Sequence, residues 1–373
     1  MAASLLTEWV SKGECLGGQV FVWASGQVVT DFAVGSSYHG RPAAVSDVAR
    51  LYCAVKPVIS CCLAHAADLG RIRLDDYVTD YLPEFGGGGK EAITIRQLLN
   101  HTSRLPNLKI DPYKRPFAES LSLACRTPIA PRLWNSDAQY NDHLAWIVLA
   151  GVVEKVYRME FSEIVEHLLE EFVPGSDLRI INPNKSKYAP CHYKSRDGFT
   201  VVPQPDSSVL FEFANPAHGG FASARGLGLL YKELVCCAAG TGTLMSAPMA
   251  REVIAKSSLV DFGIGFSQRS CGLGLMVDIR NDGIGGEWSR DSFGHAGYVG
   301  LYRVVHGFAD VQCNVAAAIQ LFSVGAKNNW RFQRLGASIW SDLGWPKGGC
   351  PNEPKLPRQF DSSSFYVFQT GWR

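Results

Sequence analysis

Apolar and polar positions change period several times along the chain. Gly17–Gly26 and Gln27–Gly35 are short β-rich runs, and the Ser25-Gly26 junction between them suits a hairpin. From Val55 the spacing becomes helical. Val55, Val58, Ile59, Cys62, Leu63 and Ala66 predict one buried face of a helix that ends near Leu69, with Gly70 as the residue beyond its C-cap. Gly86–Gly89 predicts a surface loop. Ile93–Leu99 opens a second helix with Thr94 as its N-cap. Helical spacing returns over His143–Tyr157 and Phe161–Phe172, whereas Pro183–Pro205 is polar and turn-rich, suited to small irregular strands. Phe221–Cys237 reads as a helix after a Gly219-Gly220 turn. Phe262–Val277, Tyr298–Val305 and Val311–Phe322 read as strands, and Asn329–Leu343 as a closing helix. Strands at both ends with helices between predict an α/β (α+β) fold, with one antiparallel sheet built from both termini. The expected division is a discontinuous sheet domain (1–75 and 205–345), a mainly helical insertion (76–204) and a C-terminal extension (346–373) rich in Pro, Gly and Ser.

Composition narrows the function. Across 373 residues, 46% are hydrophobic and 19% charged, which supports a sizeable core and excludes general disorder. Lys and Arg total 36 against 35 Asp and Glu, so the basic excess of a nucleic-acid binder is absent. No apolar run is long enough to span a membrane. The first ten residues lack a basic stretch followed by an apolar block, which predicts no secretory signal and a cytoplasmic protein. The 11 cysteines show no CxxC or zinc-finger spacing, and several lie in apolar runs, so they read as reduced, small buried hydrophobes. No P-loop and no GxGxxG after a strand occurs. No cofactor and no metal is therefore expected.

The chemistry concentrates in Cys53-Ala-Val-Lys56. Three residues apart at a helix start, the thiol and the ammonium share one face. The helix N-terminus and Lys56 both favour thiolate, which is how an activated nucleophile is made. Spacing alone favours the blander reading, one more buried cysteine beside a surface lysine. Cys191-His-Tyr-Lys194 has the same spacing but no apolar helix follows it, and no SxxK occurs in the chain.

Context adds to this motif. Leu51-Tyr-Cys-Ala-Val-Lys-Pro57 is followed by Gly70-Arg-Ile-Arg-Leu-Asp-Asp76 and then by Leu98-Leu-Asn-His-Thr-Ser-Arg-Leu-Pro106. Further on come Tyr140-Asn-Asp142, Asn215-Pro-Ala-His-Gly-Gly-Phe-Ala-Ser-Ala-Arg225 and Phe293-Gly-His-Ala-Gly-Tyr-Val-Gly300. In this order they resemble the serine β-lactamase and penicillin-binding-protein superfamily, in particular its class C β-lactamase, esterase and transacylase branch, over roughly residues 17 to 343. The family's motifs are SxxK, Y-x-N, a P-A-G-G stretch and a K-T-G or H-x-G strand. Pro131 stands about where a P-G turn precedes Y-x-N. The departures are Cys53 for the nucleophilic Ser, Asp142 for the Asn, and Arg104 for the Gly after H-T-S.

The resemblance implies acyl transfer with Cys53 as nucleophile and Lys56 and Tyr140 as proton shuttle, Lys56 being either base or counter-ion. The oxyanion would be held by the Cys53 N–H and by the strand after Gly297, at Tyr298 or a neighbour. His295 stands in place of the K-T-G lysine, which removes a cation suited to a substrate carboxylate and argues against β-lactam or peptidoglycan substrates. His218 and His101 read as structural. Phe293, Tyr298, Trp134 and Trp288 are either pocket-lining or core aromatics, and Asp142 is a substrate-side residue. A thioester intermediate favours attack by amines over attack by water. The expected function is thus an acyltransferase joining a small-molecule ester or thioester donor to an amine or alcohol acceptor in specialised metabolism. The alternatives are an esterase or thioesterase and a non-catalytic ligand-binding protein.

Overall fold

The computed structural model describes residues 1–38, 40–108, 115–129, 138–181, 185–203, 211–263 and 268–345. The chain opens with helix α1 (Ala2–Ser11), then the hairpin β1 (Gly17–Ala24) and β2 (Gln27–Tyr38), and the short strands β3 (Arg41–Pro42) and β4 (Ala49–Arg50). Helices α2 (Lys56–Asp68), α3 (Ile95–Leu99), α4 (Phe117–Arg126), α5 (Leu144–Tyr157) and α6 (Phe161–Phe172) follow. Strands β5 (His192–Ser195), β6 (Gly198–Val201) and β7 (Phe221–Ala222) lead into the helices Ala224–Ala239 and Ala247–Ile254. Strands β8 (Ser258–Val260), β9 (Arg269–Cys271), β10 (Met276–Val277), β11 (Ser292–Val299), β12 (Tyr302–Asp310), β13 (Val315–Leu321) and β14 (Ser323–Val324) precede the closing helix Asn328–Asp342.

Nine strands form one antiparallel sheet in the order β3-β2-β1-β13-β12-β11-β10-β9-β8, so both ends of the chain build it. Period-two alternation sorts its side chains between two cores. Phe21, Trp23, Ala316 and Ala318 face a cluster shared with α2, α5, α6 and the helix Ala224–Ala239. Val20, Val22, Ala317 and Ile319 face a second cluster shared with Leu6 and Trp9 of α1 and with Phe332, Leu335 and Ile339 of the closing helix. The first cluster is continuous from the sheet into the helical region, and the start of α2 is embedded in it.

The expected fold class is observed, with local differences. The run Tyr298–Val305 is not one strand: Gly300, at φ 60°, turns it into the β11–β12 hairpin, pairing Val299 with Tyr302. Val311–Phe322 likewise begins with a turn, Asn314 at φ 50°, before β13. Phe221 belongs to a two-residue strand, and the helix starts only after Ser223, whose side chain caps it at the Gly226 N–H. Thr94 caps α3 as expected, through a hydrogen bond from the Gln97 N–H. Cys313 is disulfide-bonded, which departs from a wholly reduced chain. The expected turn at Pro131, Trp134 and the tail beyond Trp345 also lie outside the described residues.

One contact positions the later site. Gly297 of β11 lies flat against the turn before α2. A Cβ there would stand 2.2 Å from the Leu51 carbonyl oxygen and 3.1 Å from the Tyr52 Cβ. Gly297→Ala is therefore expected to destabilise the fold by about 1–3 kcal/mol through overpacking. Urea unfolding checks this: an unchanged midpoint would show that the turn and strand are not in tight register.

Candidate active site

Cys53 lies in a single 3₁₀ turn, Tyr52–Val55, immediately before α2. Tyr52, a non-glycine residue, takes φ 51°, a strained left-handed conformation that the surroundings must hold. Leu51 anchors the turn by donating its N–H to the Gly220 carbonyl at 2.9 Å. The turn presents Cys53, half-buried, to a cavity of about 180 Å³. Tyr140, Asp142, Phe262, Arg269, His295 and Tyr298 line other parts of its wall.

The side chains around Cys53 converge on one oxygen. The Cys53 Sγ is 3.5 Å from Asp142 Oδ1, the Lys56 Nζ 3.3 Å, and the His218 Nε2 2.7 Å. Lys56 is fully buried; its ammonium also donates to the Ala217 carbonyl at 2.9 Å and sits 5.3 and 5.7 Å from the Tyr140 and Trp146 ring centres. Tyr140 hydrogen-bonds Cys53 through its hydroxyl and stacks on Phe262 at 4.3 Å. Asn141 locks the loop behind them: its amide donates to the Leu105 and Pro106 carbonyls, and its N–H donates to His101 Nδ1. The Asp142 N–H donates to Asn107 Oδ1 at 2.9 Å, which aims the carboxylate at Lys56.

Burial and charge act against each other here. Burial pushes the Cys53 thiol up, but Lys56 and His218 outweigh it against the opposing Asp142, and the net shift is downward. Burial raises all eight other described free cysteines. Burial also works against the Asp142 carboxylate, yet Lys56 and the His218 hydrogen bond hold it well below the usual carboxylate range. Burial, then Cys53 and Asp142, push the Tyr140 phenol well up. Burial lowers His218, but Cys53 and the Asp142 bond raise it further, against the repulsion of Lys56, so it stands above an ordinary histidine. Burial, then Lys56, lower both His101 and His295 to about 3.

The geometry brings together Cys53, Lys56, Tyr140 and Asp142. His295 and Tyr298 are on the wall of the same cavity. The His295 Nδ1–H donates to the Ala296 carbonyl at 3.0 Å, which leaves Nε2 as the acceptor. The β10–β11 ladder covers only Phe293 and Gly294, so among the described residues the stretch from His295 to Val299 has no partner strand on that edge. Gly297 packs on the turn that carries Cys53. Phe293 does not line this cavity: two residues upstream of His295 on the same face, it packs in the core 6.0 Å from the Tyr231 ring. Trp288 is a core residue among Phe308 and Trp340.

His218, read as structural from sequence, stands inside the cluster instead. The signal was the extra residue it adds to the P-A-G-G stretch. His101 does brace its helix end, accepting the Asn141 N–H. Cys53, Asp142 and His218 place donor atoms within 4.8 Å of one another, close enough to share a metal ion. The Lys56 ammonium already sits against the Asp142 oxygen of that set, so a divalent cation would meet direct repulsion.

The chain belongs to the beta-lactamase family, whose model matches residues 2–332. It is 26% identical over 191 residues to Esterase EstB of Burkholderia gladioli, covering 45% of this chain and 48% of that protein, so the chain spans about half of this relative's length. Its fold is similar to a penicillin-binding-protein homologue from Caulobacter crescentus, with TM-score 0.77, 20% identity and coverage of 92% and 96% of the two chains. It is also similar to EstCE1, described as a hydrolase with promiscuous acyltransferase activity, with TM-score 0.74, 14% identity and coverage of 90% and 97%. Among the described residues no helix is long and apolar enough to cross a membrane.

Acid should weaken the fold through the buried histidines. Below about pH 6.5 the unfolded chain binds protons at His101 and His295 that the folded chain refuses until about pH 3. Stability present at neutral pH is then lost as pH falls through that window, by up to about 1.4 kcal/mol per pH unit for each histidine. Urea unfolding between pH 4 and 7 checks this: His295→Asn should flatten the slope, and an unchanged slope would show that His295 is not held neutral.

Proposed function

We propose that the chain is an acyltransferase that carries its acyl group on Cys53. The observation that supports this reading best is a half-buried thiol, alone among the described free cysteines in being pushed toward thiolate, on a cavity wall beside Tyr140, Asp142 and His295. In the first half-reaction the Cys53 sulfur attacks the donor carbonyl. An Sγ–C bond forms, the donor's C–O or C–S bond breaks, and the leaving alcohol or thiol takes up a proton. In the second half-reaction an amine or alcohol attacks the thioester carbonyl, the C–Sγ bond breaks and the acceptor gives up its proton. The Cys53 N–H, among the first amides of its turn, and the stretch of β11 beyond Gly294, unpaired on one edge among the described residues, supply candidate donors to the tetrahedral oxyanion. Tyr140 donates a hydrogen bond to the sulfur, and Lys56 supplies a buried positive charge.

Transfer is preferred to hydrolysis because a thioester yields to amines more readily than an ester does, while water gains less. An amine or alcohol acceptor and an ester or thioester donor follow, in a setting of specialised biosynthesis. Hydrolysis remains the second reading, favoured by the esterase description of EstB.

Intact-mass spectrometry with p-nitrophenyl ester and thioester donors tests this. A mass increase of one acyl group is expected on the wild type and none on Cys53→Ala, with activity reduced by at least about 10⁴-fold. Turnover should require an added amine or alcohol. Cys53→Ser should retain part of the activity and shift the products toward free acid. Equal transfer-to-hydrolysis ratios in Cys53→Ser and wild type would remove the case for a transferase, and an unmodified wild type across the donor panel would remove the case for acyl-Cys53.

A further inference from the structure

The groups the family resemblance assigns to proton transfer are poorly placed to take the Cys53 proton. The Tyr140 phenol is pushed well up by burial and by its anionic neighbours, so its oxyanion is costly beside Asp142. The Lys56 ammonium is engaged by two oxygens that only accept, Asp142 Oδ1 and the Ala217 carbonyl. His218 is differently placed. Its ring hydrogen-bonds Cys53, and its Nε2 lies 2.7 Å from Asp142 Oδ1.

The backbone that carries His218 is fastened from two sides. Asn215 Oδ1 accepts from the Ala217 and His218 N–H groups at 3.1 and 2.9 Å, and the Arg50 Nε donates to the His218 carbonyl at 2.8 Å. The His143 ring packs against the imidazole at 4.2 Å. A histidine with no role beyond packing needs none of this aim. Two of the three residues concerned, Cys53 and Asp142, are departures noted above, and the third, His218, is the residue added within the P-A-G-G stretch.

We propose that His218 is the acid–base catalyst of this site, paired with Cys53 as imidazolium and thiolate and oriented by Asp142. The inference rests on the acyl-Cys53 reading. At rest the S–H proton has moved to His218. On acylation the thiolate forms the Sγ–C bond, the donor's leaving group departs with its electron pair, and His218 protonates it. Neutral His218 then takes the proton of the attacking amine or alcohol as the C–Sγ bond breaks, which restores the pair. No oxidant, metal or further reactant is consumed. The local charges balance, with Lys56 and His218 against Cys53 and Asp142. The other titratable groups around the pair are Tyr140 and His143 from the segment before α5, His101 behind Tyr140 and His295 from β11, with Arg50 on the His218 carbonyl and Arg269 and Asp282 on the far wall of the cavity.

Iodoacetamide labelling of Cys53 from pH 4 to 9, located by peptide mapping, tests the pair without any acyl donor. In the wild type the labelling rate should rise through an inflection well below that of an ordinary thiol. In His218→Gln the inflection should move up by at least one pH unit, and the acylation burst should fall by roughly 10²-fold. In the unmutated protein, NMR of the ring nitrogens should show a charged His218 at pH 6.5 that becomes neutral once Cys53 is carbamidomethylated. An inflection and burst unchanged in His218→Gln, or a neutral His218 ring before alkylation, would overturn the proposal. So would one zinc ion per chain in the isolated protein that is lost in His218→Gln, because the trio would then be a metal site. If His218→Gln shifts the inflection but no donor acylates the wild type, the pair stands and the acyltransferase reading fails.

Discussion

One carboxylate oxygen organises this molecule's chemistry. Asp142 Oδ1 meets Cys53, Lys56 and His218, and none of these polar groups is tolerable in isolation at that depth. A buried ammonium needs an anion within reach, and a carboxylate needs donors. The two satisfy each other, and Lys56 together with His218, against the opposing charge of Asp142, lowers the cost of a negative sulfur beside them. The same oxygen holds α2, the segment before α5 and the loop before β7 together, so local electrostatics and tertiary arrangement are one problem here.

The large elements were legible because their periods are long and clean. The hairpin β1–β2, the helices α2, α5 and α6 and the closing helix follow directly from spacing, and their ends from residues such as Gly70, at φ 68°, and Thr94. Misreadings cluster where a turn interrupts apolar residues. Gly300 and Asn314 break what hydrophobicity alone presents as unbroken strands, because a tight hairpin needs only one residue of positive φ. Helix α1 has Ala2, Leu6 and Trp9 in helical register, but ten residues at a chain end carry too little pattern to stand out.

The site was partly legible for a related reason. Cys53 and Lys56 are neighbours in sequence, so one helix start brings them together. Asp142 and His218 come from segments 76 residues apart, and no periodicity links them. The family pattern located Asp142 by position. His218 read as structural, and only the fold shows that it stands beside the sulfur. Phe293 illustrates the converse: correct strand and correct face, but a step too deep to reach the cavity.

The main-chain contact between Gly297 and Leu51 carries a consequence of its own. The distance from the sheet to the sulfur is gauged by backbone touching backbone, not by the bulk of any side chain. Residues around the cavity can therefore drift in size and polarity over generations, re-tailoring which molecules enter, while the reach of the nucleophile stays fixed.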